Sequence, residues 1–598
     1  MATKMKDEGH AHDKSSEDLR SGSDAIVDTL KQSGVDLVIG YSGGGTMMLA
    51  DSIVKGNLKT MAARTEMSAA WVSYGYNRIK RRASSAVVSH VVGVLHTAPM
   101  LMAAKADSTP LLVIDINSSN ALDVREGLQD GQEVYSAMKP LSKYIRRITT
   151  AEDMPLAVRQ AVTAASTGRP GPAVLDIQFN ALIQGTSCKT EPLTLPAPPA
   201  AAPQALEAMI SKIKAADRPV LVIGAGVHLS DGAAELRALA ERLNIPVVCT
   251  TWGGRGVLPD THPLFAGVLG SFGWESANEV IQRADLWLAF GTTFSQVSTG
   301  AWTLAKPDEV VHVDVDPQQL GKIFEPSLGV VGDAKTVLQQ LIDAFEGDDF
   351  SRPNGAEGDW VKLMEDAREE WNAYHKTLGA EGGKPINQYY LIDQMNKKLP
   401  DDTLIVGDSG FHAYMLYRSF EYHQSTQMAQ GSRYQSLGAG LPIAIGAKLA
   451  APERTVVCYH GDGGFFYDFG ELATLAQYNI KVIVIVDHNG CLLANRAGMR
   501  MMGFENPWVD LPEADFVGLA KSLGVEGEQV TEASDIPAAL DRAMAAEGSY
   551  IIDVVTDPDT RLRRAIKDVV PILTDRKPSP GVEKHVAPGL EDAWPSQK

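Results

Sequence analysis

The chain is 598 residues long, 44% hydrophobic and 22% charged, with a formal net charge of −19. This length implies about three to five domains of ordinary size, and the composition excludes the disordered and fibrous classes for the bulk of the chain. The acidic balance argues against nucleic acid or an anionic membrane surface as a partner, because the mean field repels both.

Residues 1–22 mix charges and lack an apolar run, so they read as a disordered lead rather than a secretion signal. From 23 to 186, helix-like and strand-like stretches alternate: DAIVDTLKQSG, DLVIGYSGGG, EMSAAWVSYGYNRIKR, SSAVVSHVVG, PLLVIDI and PAVLDIQ. The stretch ASSAVVSHVVGVLHTAPMLMAA (83–104) approaches the length of a membrane span. Its two histidines, its proline and its interleaved hydroxyl residues predict a buried strand followed by a helix instead. Residues 187–205 form a linker containing the Pro/Ala-rich LTLPAPPAAAPQA. A second block, 206–346, repeats the alternation through RPVLVIGAG, IPVVCTT, DLWLAFGTT and VVHVDVDP. A charged, Gly-containing bridge, 347–385, leads to a third block, 386–565, with DTLIVGDSG, LPIAIGAKLA, TVVCYHGDGG, KVIVIVDHNG and SYIIDVVTD. Residues 566–598 are a Pro-rich tail without a clear period. Apolar runs alternating with amphipathic helices predict an α/β chain of parallel sheets wrapped by helices. Cys188, Cys249, Cys458 and Cys491 form no CxxC pair and are too sparse for a disulfide framework, which suits a reducing, cytoplasmic setting.

The third block carries the strongest chemical signal. Asp462 closes one apolar run and Asn489 closes the next, 27 positions later, with a helix-like stretch between. In an open parallel sheet both would face one crevice at the carboxyl ends of adjacent strands. Gly461, Gly463 and Gly464 lack a Cβ, so backbone N–H groups can approach a phosphate, and the following helix adds its positive end. A diphosphate with a hard cation such as Mg²⁺ fits oxygen ligands of this kind. Taken alone, GDGG reads more simply as a turn, with Asn489 as a capping residue.

The spacing resembles the thiamine diphosphate (ThDP) motif of the acetolactate synthase and pyruvate oxidase superfamily. Other motifs follow in the same order. GYSGGGTMML (40–49) is similar to the family's GVPGG loop, TGRPGPAVLDIQ (167–178) to the end of its first domain, and GDSGFHA (407–413) to a loop ahead of the cofactor. SLGAGLPIAIGAK (436–448), preceded by Gln435, is similar to TMGxGLPAAIGA. The resemblance covers roughly 23–557 and implies three doubly wound parallel-sheet domains, termed PYR, central and PP, as in ThDP-dependent decarboxylases and carboligases.

On this resemblance Asp462, Asn489 and the main-chain carbonyl of Cys491 hold the metal. Gly461, Gly463 and Gly464 bind the diphosphate, and His412, Gln435, Gly43 and Gly44 line the cofactor. Leu437 forces the cofactor into a bent V, although packing at a helix start equally accounts for a leucine there. The family's first Asn of Asn-Asn is His488 here. Glu66, in RTEMSAAWVSYGYNR, matches the acid that promotes the imino tautomer of the aminopyrimidine; neighbours Met67, Ala69, Ala70 and Trp71 would strip water from it, which suits a group that shares a proton. Glu66 also reads as a helix-start acid favoured by the macrodipole. In the family the first domain of one subunit meets the third domain of another, so a homodimer or homotetramer with active sites at subunit interfaces is implied.

The middle block does not carry the NAD fingerprint: Gly224 and Gly226 are followed by Leu229 at the third expected position, and IPVVCTT ends without an acid. It resembles the family's central domain, which binds FAD in some members and ADP or nothing in others. Ser295, Gln296 and Val297 replace the pattern that accompanies FAD. The implied activity is a lyase or carboligase acting on 2-oxo acids or 1,2-diketones through a C2-carbanion/enamine. SHVVGVLH (89–96) departs from the family's SGPGATN and is similar to cyclohexane-1,2-dione hydrolase, a ring-opening relative. His90 is then a proton shuttle, with a satisfied core histidine nearly as good a reading; for His96 the core reading is the better. A ThDP-binding protein without catalysis is the remaining alternative, and a retained Glu66 argues against it.

Overall fold

A computed structural model describes residues 19–122, 125, 129, 131–251, 253–352, 359–425, 433–502 and 505–560. Most of the lead expected over 1–22 and all of the tail expected over 566–598 lie outside the described residues.

Three parallel sheets organise the chain, as the alternating pattern predicts. The first has the spatial order Lys59–Ala62, Leu37–Gly40, Ser85–Ser89, Leu111–Asn117, Pro172–Gln178, Tyr144–Ile148. The second runs Phe265–Val268, Val247–Cys249, Pro219–Ile223, Leu286–Phe290, Glu309–Asp314, Leu328–Val331. The third runs Leu404–Gly407, Val456–Gly461, Ile483–His488, Tyr550–Val555, Glu526–Val530. Their central strands are buried from end to end because helices cover both faces, which is why they read as continuous apolar runs rather than alternating ones.

In the first sheet the strand order reverses between Leu37–Gly40 and Ser85–Ser89, and such a switch point opens a crevice at the carboxyl ends. The loops leaving those two strands carry Gly43–Gly45 and His90. The middle sheet reverses between Pro219–Ile223 and Leu286–Phe290 in the same way.

The first and third sheets share one apolar core, in which Val87, Trp71, Ile443 and Val484 belong to a single cluster. Two helices make the join. Glu66–Lys80 starts at Thr65, whose side chain accepts the Ser68 N–H, and ends at Arg81 in the left-handed conformation. Every residue from Ser68 to Asn77 is buried, so it is a core helix on all faces and not an amphipathic surface helix. It crosses Gly440–Ala450 at glycines on both sides: a Cβ on Gly75 would lie 2.3 Å from the Ile443 carbonyl oxygen, and one on Gly446 would lie 2.0 Å from that of Val72.

The bridge expected over 347–385 contains a 19-residue helix, Trp360–Leu378. Its Trp360, Met364 and Trp371 join the core of the middle unit, and Trp371 stacks on Trp274 with ring centroids 5.7 Å apart. The high charge of this stretch belongs to the helix's outer face, which obscured its apolar stripe. The segment 83–104 folds as strand Ser85–Ser89 and helices Val92–His96 and Ala98–Asp107, and no helix among the described residues is long and apolar enough to cross a membrane.

Candidate cofactor site

Strand Val456–Gly461 pairs in parallel with Ile483–His488, with Gly461 opposite Asp487, so Asp462 and Asn489 leave adjacent strand ends. One carboxylate ties the two ends together. Asp462 Oδ2 accepts the N–H groups of Asn489 at 3.0 Å and Gly490 at 2.6 Å, and its Oδ1 accepts the Gly463 N–H at 2.7 Å. Burial pushes the Asp462 carboxyl up; these donors and the neighbouring His488 pull it back without cancelling the effect. The Asn489 Oδ1 accepts the Cys491 N–H and thiol, both at 3.2 Å. His488 is occupied elsewhere: its Nδ1 bonds Asp553 Oδ1 at 2.9 Å and its ring packs on Phe516.

The glycines around Asp462 also make room for neighbouring side chains. Helix Asp462–Asp468 begins at the acid itself, so Gly463 and Gly464 lie in its first turn. The space freed by their missing Cβ atoms is filled by protein. A Cβ on Gly461 would lie 2.9 Å from His412 Cε1, on Gly463 2.5 Å from Leu492 Cδ2, and on Gly464 2.0 Å from Asp408 Oδ2. The glycines admit those side chains to the strand ends. His412 is wholly buried, which holds it at about 3 and keeps its ring neutral, and its Nε2 has no partner among the described residues.

Sequence reasoning missed the group that orders the loops here. His460, fully buried, bonds Asp468 Oδ2 through Nε2 at 2.9 Å and faces Asp408 Oδ2 at 3.5 Å. Asp408 in turn accepts the N–H groups of Gly438, Ala439 and Gly440, and Asp468 accepts that of Leu441. Burial pulls the His460 pKa down, but the two carboxylates outweigh it and raise it to about 9. Three segments, at 408, 438–441 and 460–468, are thereby tied together next to Leu437, which is half-buried beside Gly438. Gln435 has φ 49° and its Oε1 accepts the Ser409 hydroxyl at 3.0 Å.

At the first switch point, Glu66 opens its helix with its side chain 20% exposed, so the expected removal of water is incomplete in the single chain. His96, expected in the core, is largely exposed, and its Nδ1 lies 3.2 Å from Glu66 Oε2. The short helix Val92–His96 carries it there instead of inward. Gly93 packs against the acid: a Cβ would lie 2.5 Å from Glu66 Oε1. Gly43 and Gly44 face open space, whereas Gly45 touches His90, where a Cβ would lie 2.4 Å from Nδ1.

At the middle switch point, a cavity of about 420 Å³ is lined by Gly224, Gly226, Gly291, Asp314, Arg169 and Arg433. Burial pushes Asp314 up to about 6.

Comparison with known proteins assigns these features to one family. Three family models match: the thiamine pyrophosphate enzyme N-terminal TPP binding domain over 20–136, the central domain over 206–341 and the C-terminal TPP binding domain over 408–554. A probable chloroplastic acetolactate synthase 2 of Oryza sativa subsp. japonica is 30% identical over 90% of this chain and 83% of its own. The chain belongs to the thiamine pyrophosphate enzymes. A probable acetolactate synthase large subunit of Methanocaldococcus jannaschii is 29% identical over 90% of this chain and 92% of its own. Acetolactate synthase isozyme 1 large subunit of Escherichia coli is 27% identical over 91% and 95%. As a thiamine pyrophosphate enzyme the chain has its Asp462–Asn489 rim within the C-terminal TPP binding domain and Glu66 within the N-terminal one.

Proposed function

We propose that this enzyme is a ThDP- and Mg²⁺-dependent C–C lyase or carboligase of the acetolactate synthase type, acting on 2-oxo acids or 1,2-diketones. The observation that carries the reading is the Asp462 carboxylate, which gathers the amides of Asn489 and Gly490 and so sets a carboxylate and an amide oxygen on one rim. With the Cys491 carbonyl these are oxygen donors only, the chemistry Mg²⁺ selects, and diphosphate oxygens and water would complete an octahedron. The bonds of Asn489 Oδ1 to Cys491 are long enough to yield to a cation. His412 supports its assignment beside the diphosphate through a buried Nε2 with no partner among the described residues, which would donate once it carries the proton. Gln435, Leu437, Gly43, Gly44, Gly461, Gly463 and Gly464 complete the proposed cofactor contacts.

ThDP supplies the carbon nucleophile and electron sink when bound; the chain positions it. Glu66, at the start of a rigid, buried helix, would hold the proton shared with the aminopyrimidine, and His90 would move a proton at the substrate. We infer that a second copy of the chain completes each site, as homodimer or homotetramer. Large apolar side chains stand exposed on the segments that follow the strand ends, among them Met47 (64%), Tyr467 (60%) and Trp508 (82%), and a matching copy would cover them. Residence in the cytoplasm fits four cysteines that form no disulfide among the described residues. The cavity at the middle switch point, with Arg169 and Arg433 in its wall, suits an anionic nucleotide; FAD is one, and an absorbance spectrum of the purified protein decides whether flavin is present.

A second reading, a ring-cleaving diketone hydrolase, is favoured by the close fit of His90 against Gly45. Incubation with ThDP, Mg²⁺ and a panel of pyruvate, other 2-oxo acids and linear or cyclic 1,2-diketones separates the two. Carboligation or decarboxylation products support the first, a ring-opened acid supports the second, and inertness across the panel with ThDP bound would leave a cofactor-binding protein without catalysis.

A further inference from the structure

His90 follows strand Ser85–Ser89, whose last residue pairs with Asp115 on strand Leu111–Asn117. Two adjacent residues of that second strand hold the turn. The Ile116 carbonyl oxygen lies against His90 Nδ1, and Asp115 Oδ1 accepts the Val91 N–H at 2.8 Å. Val91 has φ 35° and ψ −87°, a backbone conformation that a β-branched residue adopts only where its surroundings impose it. Those surroundings are specific. Gly131 leaves room beside it, since a Cβ there would lie 3.1 Å from Val91 Cγ2 and 1.8 Å from Asn117 Oδ1.

Asp115 is fully buried, and its Oδ2 has no partner among the described residues. A salt bridge does not explain it, because the nearby cation is already taken: Arg147 Nε bonds Asp176 Oδ2 at 2.6 Å, and Asn117 Nδ2 bonds Asp176 Oδ1 at 2.7 Å. What remains for Asp115 is the Val91 amide. That bond fixes the strained residue next to His90, while the Ile116 carbonyl and Gly45 bound the imidazole at its Nδ1 edge.

We propose that Asp115 is a positioning residue, which holds Val91 in its strained conformation and so presents His90 to the substrate with Nδ1–H donated to Ile116 and Nε2 free to take a proton. The inference rests on the reading of His90 as the proton-transfer group. It assigns a use to a buried acid in PLLVIDI, and it explains how a histidine loop without glycine at its turn keeps one geometry.

The test uses the full-length enzyme with ThDP and Mg²⁺. Burial, reinforced by Asp176, pushes the Asp115 carboxyl well above the usual range, so Asp115→Asn resembles the neutral acid and keeps an oxygen for the Val91 N–H. It should keep near-normal turnover. Asp115→Leu should lower kcat about 100-fold through misplacement of His90, with KM and ThDP affinity little changed and no further loss in a His90→Ala background. The His90 ring-nitrogen chemical shifts should change from a single Nδ1–H tautomer to a mixture. If Leu prevents folding, Asp115→Ala serves, and adding Val91→Gly should restore part of the turnover because glycine takes a positive φ unaided. Unchanged His90 shifts in either variant, or losses that add to those of His90→Ala, would overturn the proposal. Should His90→Ala alone leave turnover intact, the catalytic reading of His90 falls, while the shifts still decide whether Asp115 sets its tautomer.

Discussion

The imidazole of His96 stands 3.2 Å from the carboxylate of Glu66, so the acid that opens the central helix already has a partner within its own chain. Glu66→Gln keeps the shape but removes the exchangeable proton. Exchange of the cofactor C2 proton, followed by NMR after a deuterium pulse, should slow by orders of magnitude while ThDP still binds; exchange at the normal rate would refute the assignment.

An incoming aminopyrimidine must share Glu66 with His96 or displace it. An exposed pair of this kind is worth about 0–1 kcal/mol, so His96→Gln should tighten ThDP binding by no more than about fivefold in a calorimetric titration. Binding that weakens more than about tenfold would mean that His96 holds the cofactor instead.

Asp462→Ala removes the proposed metal ligand and also orphans the Asn489 and Gly490 amides. ThDP affinity should fall at least about 100-fold, consistent with loss of a charged ligand, and should no longer respond to chelators. Undiminished, EDTA-sensitive binding would place the metal elsewhere.

The helix crossing makes a packing prediction. Gly446→Ala puts a methyl group 2.0 Å from the Val72 carbonyl oxygen and should cost about 1–3 kcal/mol in denaturant unfolding. Gly498→Ala is the control, since a Cβ there meets nothing within 4 Å. Equal midpoints for the two variants would show that the crossing yields.

Two histidines set a pH dependence. Burial lowers His228 to about 3 and His375 to about 4. His228 is matched as a neutral ring, with Nε2–H donated to the Arg255 carbonyl and Nδ1 accepting the Ser425 hydroxyl. Unfolded, both titrate near 6.5, so the unfolded chain binds more protons below that pH. The contribution of these two rings should be intact at about pH 7.5 and fall away as the pH drops from about 6.5 towards 4, each accounting for about 2 kcal/mol of loss at pH 5. Chemical denaturation of wild type and His228→Gln at both pH values checks this: a variant that loses as much as wild type acquits His228.

The Asp462–Asn489 pair was legible because parallel strands end in register and their apolar runs count the positions out. The start of the Glu66 helix was legible for a similar local reason, a capping threonine ahead of an apolar stretch. What stayed hidden depends on loops meeting across the fold. Neither His460 against Asp408 and Asp468 nor Asp115 under Val91 follows from spacing. Both had left a trace: a histidine in VVCYHG and an aspartate in PLLVIDI interrupt otherwise apolar buried strands, and a polar side chain in such a place requires a partner. His96 was misplaced because the turn at Val91, strained and invisible in sequence, sets which way the following short helix faces. The bridge over 347–385 hid its helix because charge on one face outweighed the tryptophans on the other.

The helix pair joining the first and third sheets also bears on synthesis. Lys80 leaves the ribosome about 360 residues before Gly440, a delay of roughly 20–70 s at ordinary elongation rates. Throughout that interval the nascent N-terminal unit has no cover for the face that Gly440–Ala450 will occupy. Its maturation is therefore tied to the last third of the message, and a truncated transcript should yield a sticky, chaperone-bound fragment.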